Sequence, residues 1–106
     1  MPELTVPTHG RPVLPGEILV EEFMKPLGIS QTTFAKAIGL SYVRLNEIVN
    51  GKRAVTPDTA MRFSRALGMS VQFWLNAQLI VDLYDAQHSP DAKKIAKIKP
   101  LVKIPA

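Results

Sequence analysis

An all-α fold of five helices is predicted for this chain, and three observations predict it. Apolar residues recur at three- and four-residue spacings in successive stretches from Pro15 onward. Start signals (Pro15, Ser30, Ser41, Thr56-Pro57, Ser70) and glycine stops (Gly28, Gly39, Gly51, Gly68) bracket those stretches. A length of 106 residues with 46% hydrophobic content is enough for one domain with one real core.

Residues 1–13 hold three of the nine prolines plus Gly10 and show no period, so they read as an irregular arm. His9 and Arg11 are its side chains with reach toward a polyanion, although a frayed terminus explains them as well. The first helix starts at Pro15 and carries Ile18, Leu19 and Phe23 on one face and Glu17, Glu21 and Glu22 on the other. Lys25-Pro26-Leu27-Gly28 ends it, because proline disfavours helix at the residue before it and glycine allows a left-handed cap.

The next two helices lie in QTTFAKAIGLSYVRLNEIVN, residues 31–50. Ala35 is small where two helices cross, Gly39 follows four residues later at the turn, and Leu45, Ile48 and Val49 line the buried side of the second helix. Phe34 and Ile38 give the first helix its own stripe. This is the pattern of a helix-turn-helix. An ordinary helical hairpin shares Ala, Gly and a leucine stripe. The outward face separates the two, since Tyr42, Arg44, Asn46 and Asn50 are long polar groups opposed by Glu47 alone. Lys52 and Arg53 follow the glycine stop as adjacent cations able to meet phosphates.

Lys52 to Val55 reads as a loop. A fourth helix follows Thr56-Pro57 with Ala60, Met61, Phe63, Ala66 and Leu67 expected on its core side. The fifth, from Ser70 to Gln87, bears Phe73, Trp74, Leu75, Leu79, Ile80, Leu83 and Tyr84, too many for one face. Such surplus predicts a dimer interface at Phe73, Trp74, Leu79 and Leu83, against the plainer description of a central monomer helix. Residues 89–106 hold five lysines and no acid after Asp91, with prolines breaking any long helix, and read as a solvated basic tail; a short helical turn or edge strand is the sharper description. The division is therefore arm 1–13, helix-turn-helix domain with its dimerisation helix 14–88, and tail 89–106.

Charge supports a nucleic-acid partner. The net +4 is concentrated over residues 29–66, with six bases and two acids, whereas residues 1–28 carry four acids and two bases. Catalysis and metal binding find no support: there is no cysteine, only two histidines, and no glycine-rich phosphate loop, so neither an enzyme nor a cofactor is expected. No apolar run approaches a membrane span and MPELTVPTHGRP lacks the form of a signal peptide, so a cytoplasmic protein is expected.

From about Leu14 to Tyr84 the chain resembles the HigA antitoxins, members of the phage-repressor-like, Xre-type helix-turn-helix group. The resemblance rests on PGEIL at 15–19, EEF at 21–23, PLGIS at 26–30, LNEIVNGKR at 45–53, TPDTA at 56–60, FWLN at 73–76 and DLY at 82–84. Leu14 stands where the family usually has His. Ser41-Tyr42-Val43-Arg44 replaces a stretch often richer in arginine, so no operator sequence carries over. The resemblance implies a five-helix phage-repressor-like fold, a homodimer, repression of its own operon, and a HigB-type toxin that resembles ribosome-associated mRNA endonucleases.

Helix-turn-helix docking assigns base reading to Ser41, Tyr42, Val43 and Arg44, with Asn46 and Glu47 one turn on. Gln31 and Asn50 match the family's backbone-contacting positions and join Lys52 and Arg53 in holding phosphates. A two-fold dimer requires an inverted-repeat operator. An RNA-cutting toxin is expected to be basic, which favours the acidic side of the first helix, Glu17, Glu21 and Glu22, as its dock. A stand-alone repressor without a toxin is the alternative, and a helical protein-interaction module the third reading.

Overall fold

The computed structural model describes residues 10–103. His9, the arm before residue 10 and Ile104 lie outside them. Every element among the described residues is helical.

The first helix, α1, covers residues 15–27 in three registers: α over Pro15–Ile18, π over Leu19–Met24 and α again over Lys25–Leu27. Pro15 sits in the first turn, where its missing N–H would have had no partner. In the π stretch the N–H of Lys25 donates to the carbonyl of Val20, five residues back. Leu19 and Met24, also five apart, are thus both buried, at 0% and 4% exposure. A 3.6-residue period selects Ile18, Leu19 and Phe23 instead; Ile18 and Phe23 are half-buried, and Met24 takes the core position that period misses. Lys25 keeps helical angles, φ −63° and ψ −50°, although a proline follows. The wider turn ahead of Pro26 relieves the clash between its ring and the carbonyl four residues back, that of Glu22, which breaks an ordinary α-helix. The helix stops at Gly28, where Gly28 N–H to Lys25 O and Ile29 N–H to Met24 O, both 3.1 Å, form a Schellman cap.

The helix-turn-helix consists of α2, Gln31–Ile38, and α3, Tyr42–Val49. Then come α4, Pro57–Leu67, and α5, Val71–Gln87. Each begins as its hydroxyl signal predicts: Ser30, Ser41, Thr56 and Ser70 accept from the N–H of Thr33, Arg44, Thr59 and Phe73 at 3.0 to 3.4 Å. Such a cap contributes about 1 kcal/mol. A sixth helix, α6, Ala92–Ala96, lies inside the stretch read as a solvated tail. Alanines at both its ends and Lys93 and Lys94 in its last turn favour it, through propensity and through the helix dipole. Among the described residues there are therefore six helices where five were expected.

All four phenylalanines and the single tryptophan meet at the centre. Trp74 of α5 has ring centroids 5.6, 5.0 and 5.1 Å from Phe23 of α1, Phe63 of α4 and Phe73, and Phe34 of α2 lies 5.9 Å from Phe63. Each such pair contributes about 0.5–1.5 kcal/mol beyond its buried area. On α4 the core stripe is Thr59, Ala60 and Phe63, with Leu67 half-buried. Met61, expected in the core, is 60% exposed, and Ala66 is exposed. At 100° per residue Met61 lies 200° round from Thr59 and leaves the stripe, whereas Ala66, seven residues on, keeps the side of Thr59 and is exposed nearer the helix end.

Candidate nucleic-acid interface

Two close approaches place α3. The turn before it needs Gly39, whose φ of 68° lets Gly39 and Leu40 donate back to Lys36 and Ala35 while Leu40 turns inward. On the far side α1 presses against α3: a Cβ on Gly16 would stand 2.7 Å from the Cα of Val49. Leu45 and Ile48 then bury one side of α3 at 0% and 2% exposure, which turns its other side outward.

At the start of that outward side Ser41, Tyr42 and Val43 are exposed, the last two by 51% and 65%. Arg44, Asn46 and Glu47 are half-buried. The Arg44 Nε is enclosed with no partner among the described residues. Asn46 is held between two neighbours: its Nδ2 donates to Gln31 Oε1 at 3.0 Å and its Oδ1 accepts from Asn50 Nδ2 at 3.1 Å. The three amides thus form one chain across α2, α3 and the residue ending α3. Glu47 accepts from Arg53 at 3.4 Å, so the acid that opposes the basic face is partly neutralised in place. Lys52 is exposed beside it. The structure therefore joins Gln31, Asn46 and Asn50 in one hydrogen-bonded chain and Glu47 with Arg53 in a pair, beside the exposed Ser41, Tyr42, Val43 and Lys52 and the half-buried Arg44.

Sequence reasoning missed Arg62. From α4 its Nη1 donates to the carbonyls of Ile38 and Gly39 at 2.8 and 3.2 Å, and its Nε to Asp58 Oδ1 at 2.8 Å. That hydrogen bond holds the Asp58 carboxyl below its ordinary range and raises the guanidinium's; the charge of Arg44 lowers Asp58 further. The four-residue spacing to Asp58 is visible in the sequence, but the reach to the turn spans 24 residues and is not.

The arm is anchored rather than frayed at Arg11. Its Nε and Nη2 donate to the two carboxylate oxygens of Asp85 on α5 at 3.1 and 2.8 Å. The bond to Arg11 holds the Asp85 carboxyl low, and both guanidinium contacts go to that carboxylate.

On α5, Leu79 is 42% exposed, and Leu83 and Phe73 are half-buried. Trp74 is a correction: at 0% exposure it is enclosed by three phenylalanines and presents nothing to a second chain. The reason is periodicity, since Trp74, Ala77 and Val81 form the buried stripe of the helix and the remaining apolar residues fall outside it. On α1, Glu17, Glu21 and Glu22 are all exposed, and Lys25 pairs with Glu21 at 2.8 Å. Among the described residues no group of three or more His, Cys, Asp or Glu is placed to hold a metal ion, and no helix is long and apolar enough to cross a membrane.

The helix-turn-helix family matches residues 20–74 of the chain. Virulence-associated protein I of Dichelobacter nodosus is 47% identical over 87 residues, covering 82% of this chain and 79% of that protein. Antitoxin HigA-1 of Vibrio cholerae is 38% identical over 81 residues, 76% of each chain. Among solved structures, the Pseudomonas aeruginosa antitoxin HigA with the higBA promoter superposes with a TM-score of 0.79 at 38% identity, over 87% of this chain and all of that one.

Proposed function

Because the chain belongs to the helix-turn-helix family and, within it, to the HigA antitoxins, we propose that it is a cytoplasmic DNA-binding antitoxin that represses its own operon and neutralises a HigB-type mRNA endonuclease. The observation that carries the DNA half is the exposed amino end of α3, Ser41-Tyr42-Val43, projecting beside a fixed chain of amides and two cations. A relative of this fold solved with its own promoter supports the same use of this one.

On this reading Ser41, Tyr42, Val43 and Arg44 enter the major groove, with Asn46 and Glu47 behind them. Gln31, Asn50, Lys52 and Arg53 hold phosphates and fix register. Asn46 has a double duty, since its amide also aims Gln31 and Asn50. Leu79 and Leu83, flanked by Phe73, join two copies through α5 and set the two reading helices roughly 34–36 Å apart, one DNA turn, on an inverted-repeat operator. The toxin, basic because it approaches RNA, docks on Glu17, Glu21 and Glu22 of α1.

Two variants assayed on promoter DNA test the assignment. Arg44→Ala should flatten the preference for operator over scrambled duplex by about 1–3 kcal/mol, the worth of a bidentate base contact. Lys52→Ala should weaken both duplexes alike and reduce the salt slope by about one. An operator preference untouched by Arg44→Ala would place the reading face elsewhere.

A further inference from the structure

We infer that Arg62 is a positioning residue for sequence recognition: from α4 its guanidinium holds the turn between α2 and α3 and so fixes the angle at which α3 presents its first residues. The inference rests on the reading of α3 as the DNA-reading helix.

The last carbonyls of a helix have no partner within it. At the end of α2 the Schellman bonds from Gly39 and Leu40 serve Lys36 and Ala35, and the carbonyls of Ile38 and Gly39 are among those left without a backbone donor. Arg62 Nη1 takes both. Its Nε is held by Asp58 one turn earlier on α4, so the planar group is fixed from two directions rather than hanging on one flexible stem. The fit is close, for a Cβ added to Gly39 would lie 3.1 Å from Nη1.

A cation here also meets the negative end of the α2 dipole. Two residues past Gly39 stands Ser41, the cap of α3, followed by the exposed Tyr42 and Val43. A small rotation of the turn is therefore delivered directly to the residues that would meet bases. Recognition tolerates such error poorly, because productive geometry must hold within about 0.5 Å and 10–20°.

The test selects a duplex for the unmutated protein from a random pool and compares its affinity with that of a scrambled duplex. Arg62→Met, which keeps the stem and removes the donors, should lower the selected-to-scrambled ratio about tenfold, the order expected of a sub-ångström misplacement. Affinity for the scrambled duplex and the salt slope should not change. Arg62→Lys, which keeps a cation and a donor, should recover part of the ratio and serves as the measured variant if Arg62→Met does not fold. Equal losses on both duplexes with a shallower slope would make Arg62 a phosphate contact and overturn the inference. A lower melting temperature with an unchanged ratio would overturn it too, leaving a helix cap. An unmutated protein that enriches no sequence would instead overturn the DNA reading itself.

Discussion

Gly16 on α1 lies against the backbone of Val49 on α3, so closely that a Cβ would stand 2.7 Å from the Val49 Cα and 2.9 Å from the carbonyl carbon of Ile48. Both opposing atoms are main chain, and no side-chain rotation can clear them. Gly16→Ala is thus expected to destabilise the fold by about 1–3 kcal/mol, the range for overpacking, despite the helix propensity that alanine adds. The urea midpoint should fall. An unchanged midpoint would mean that α1 and α3 separate freely, and that this contact does not set the position of the reading helix.

Trp74 and Leu79 are both apolar and five residues apart on α5, yet opposite behaviour is expected of them. Trp74 is enclosed, so Trp74→Ala should cost about 3–5 kcal/mol and lower the urea midpoint sharply. Leu79 is 42% exposed, so Leu79→Glu should leave circular dichroism unchanged and shift sedimentation from dimer to monomer, with weaker operator binding. Unmutated protein that sediments as a monomer at micromolar concentration would remove the dimer proposal.

The contrast between these two residues shows what the sequence makes legible. Caps and stops are local signals, and Ser30, Ser41, Thr56 and Ser70 all act as such. The helix-turn-helix is local as well, held within twenty residues by Ala35, Gly39 and the Leu45 stripe. Which apolar side of α5 faces inward is decided by Phe23 and Phe63, on helices far away in the chain, so counting aromatics on α5 placed Trp74 outside. The π stretch of α1 is equally hidden, because a 3.6-residue period cannot select Leu19 and Met24 together. Arg62 and Arg11 escape for the same reason: their partners, Gly39 and Asp85, are neighbours only in the folded chain.

Acid should loosen two of these ties. The carboxyls of Asp58 and Asp85 are held below their ordinary value of 3.8, chiefly by hydrogen bonds from Arg62 and Arg11. A depressed folded pKa gives stability that is complete above the unfolded value and is lost as pH falls through the folded one. Both pairs are solvent-exposed, so the effect is small. The stability gap between unmutated protein and Asp58→Asn should accordingly be constant near neutrality and close below about pH 4. Urea midpoints taken at neutral and acid pH measure it; a gap that widens on acidification would assign Asp58 a different role.

Where the toxin docks is decided by charge on the reading proposed above. The outer side of α1 carries Glu17, Glu21 and Glu22, but Lys25 lies 2.8 Å from Glu21 and cancels much of its field. Glu17 and Glu22 should then account for most of the attraction, and reversing those two to lysine should weaken toxin binding and its salt dependence nearly as much as reversing all three. Operator binding should be unchanged, since neither residue belongs to the face of α3. The competing surface is the tail, where Ile95, Ile98, Leu101 and Val102 are 58–100% exposed among lysines. Those lysines would repel a basic toxin, so deletion of residues 89–106 is expected to leave toxin affinity unchanged or to raise it. Affinity that survives the glutamate reversal and collapses on that deletion would move the dock to the tail, with apolar contact rather than charge as its basis.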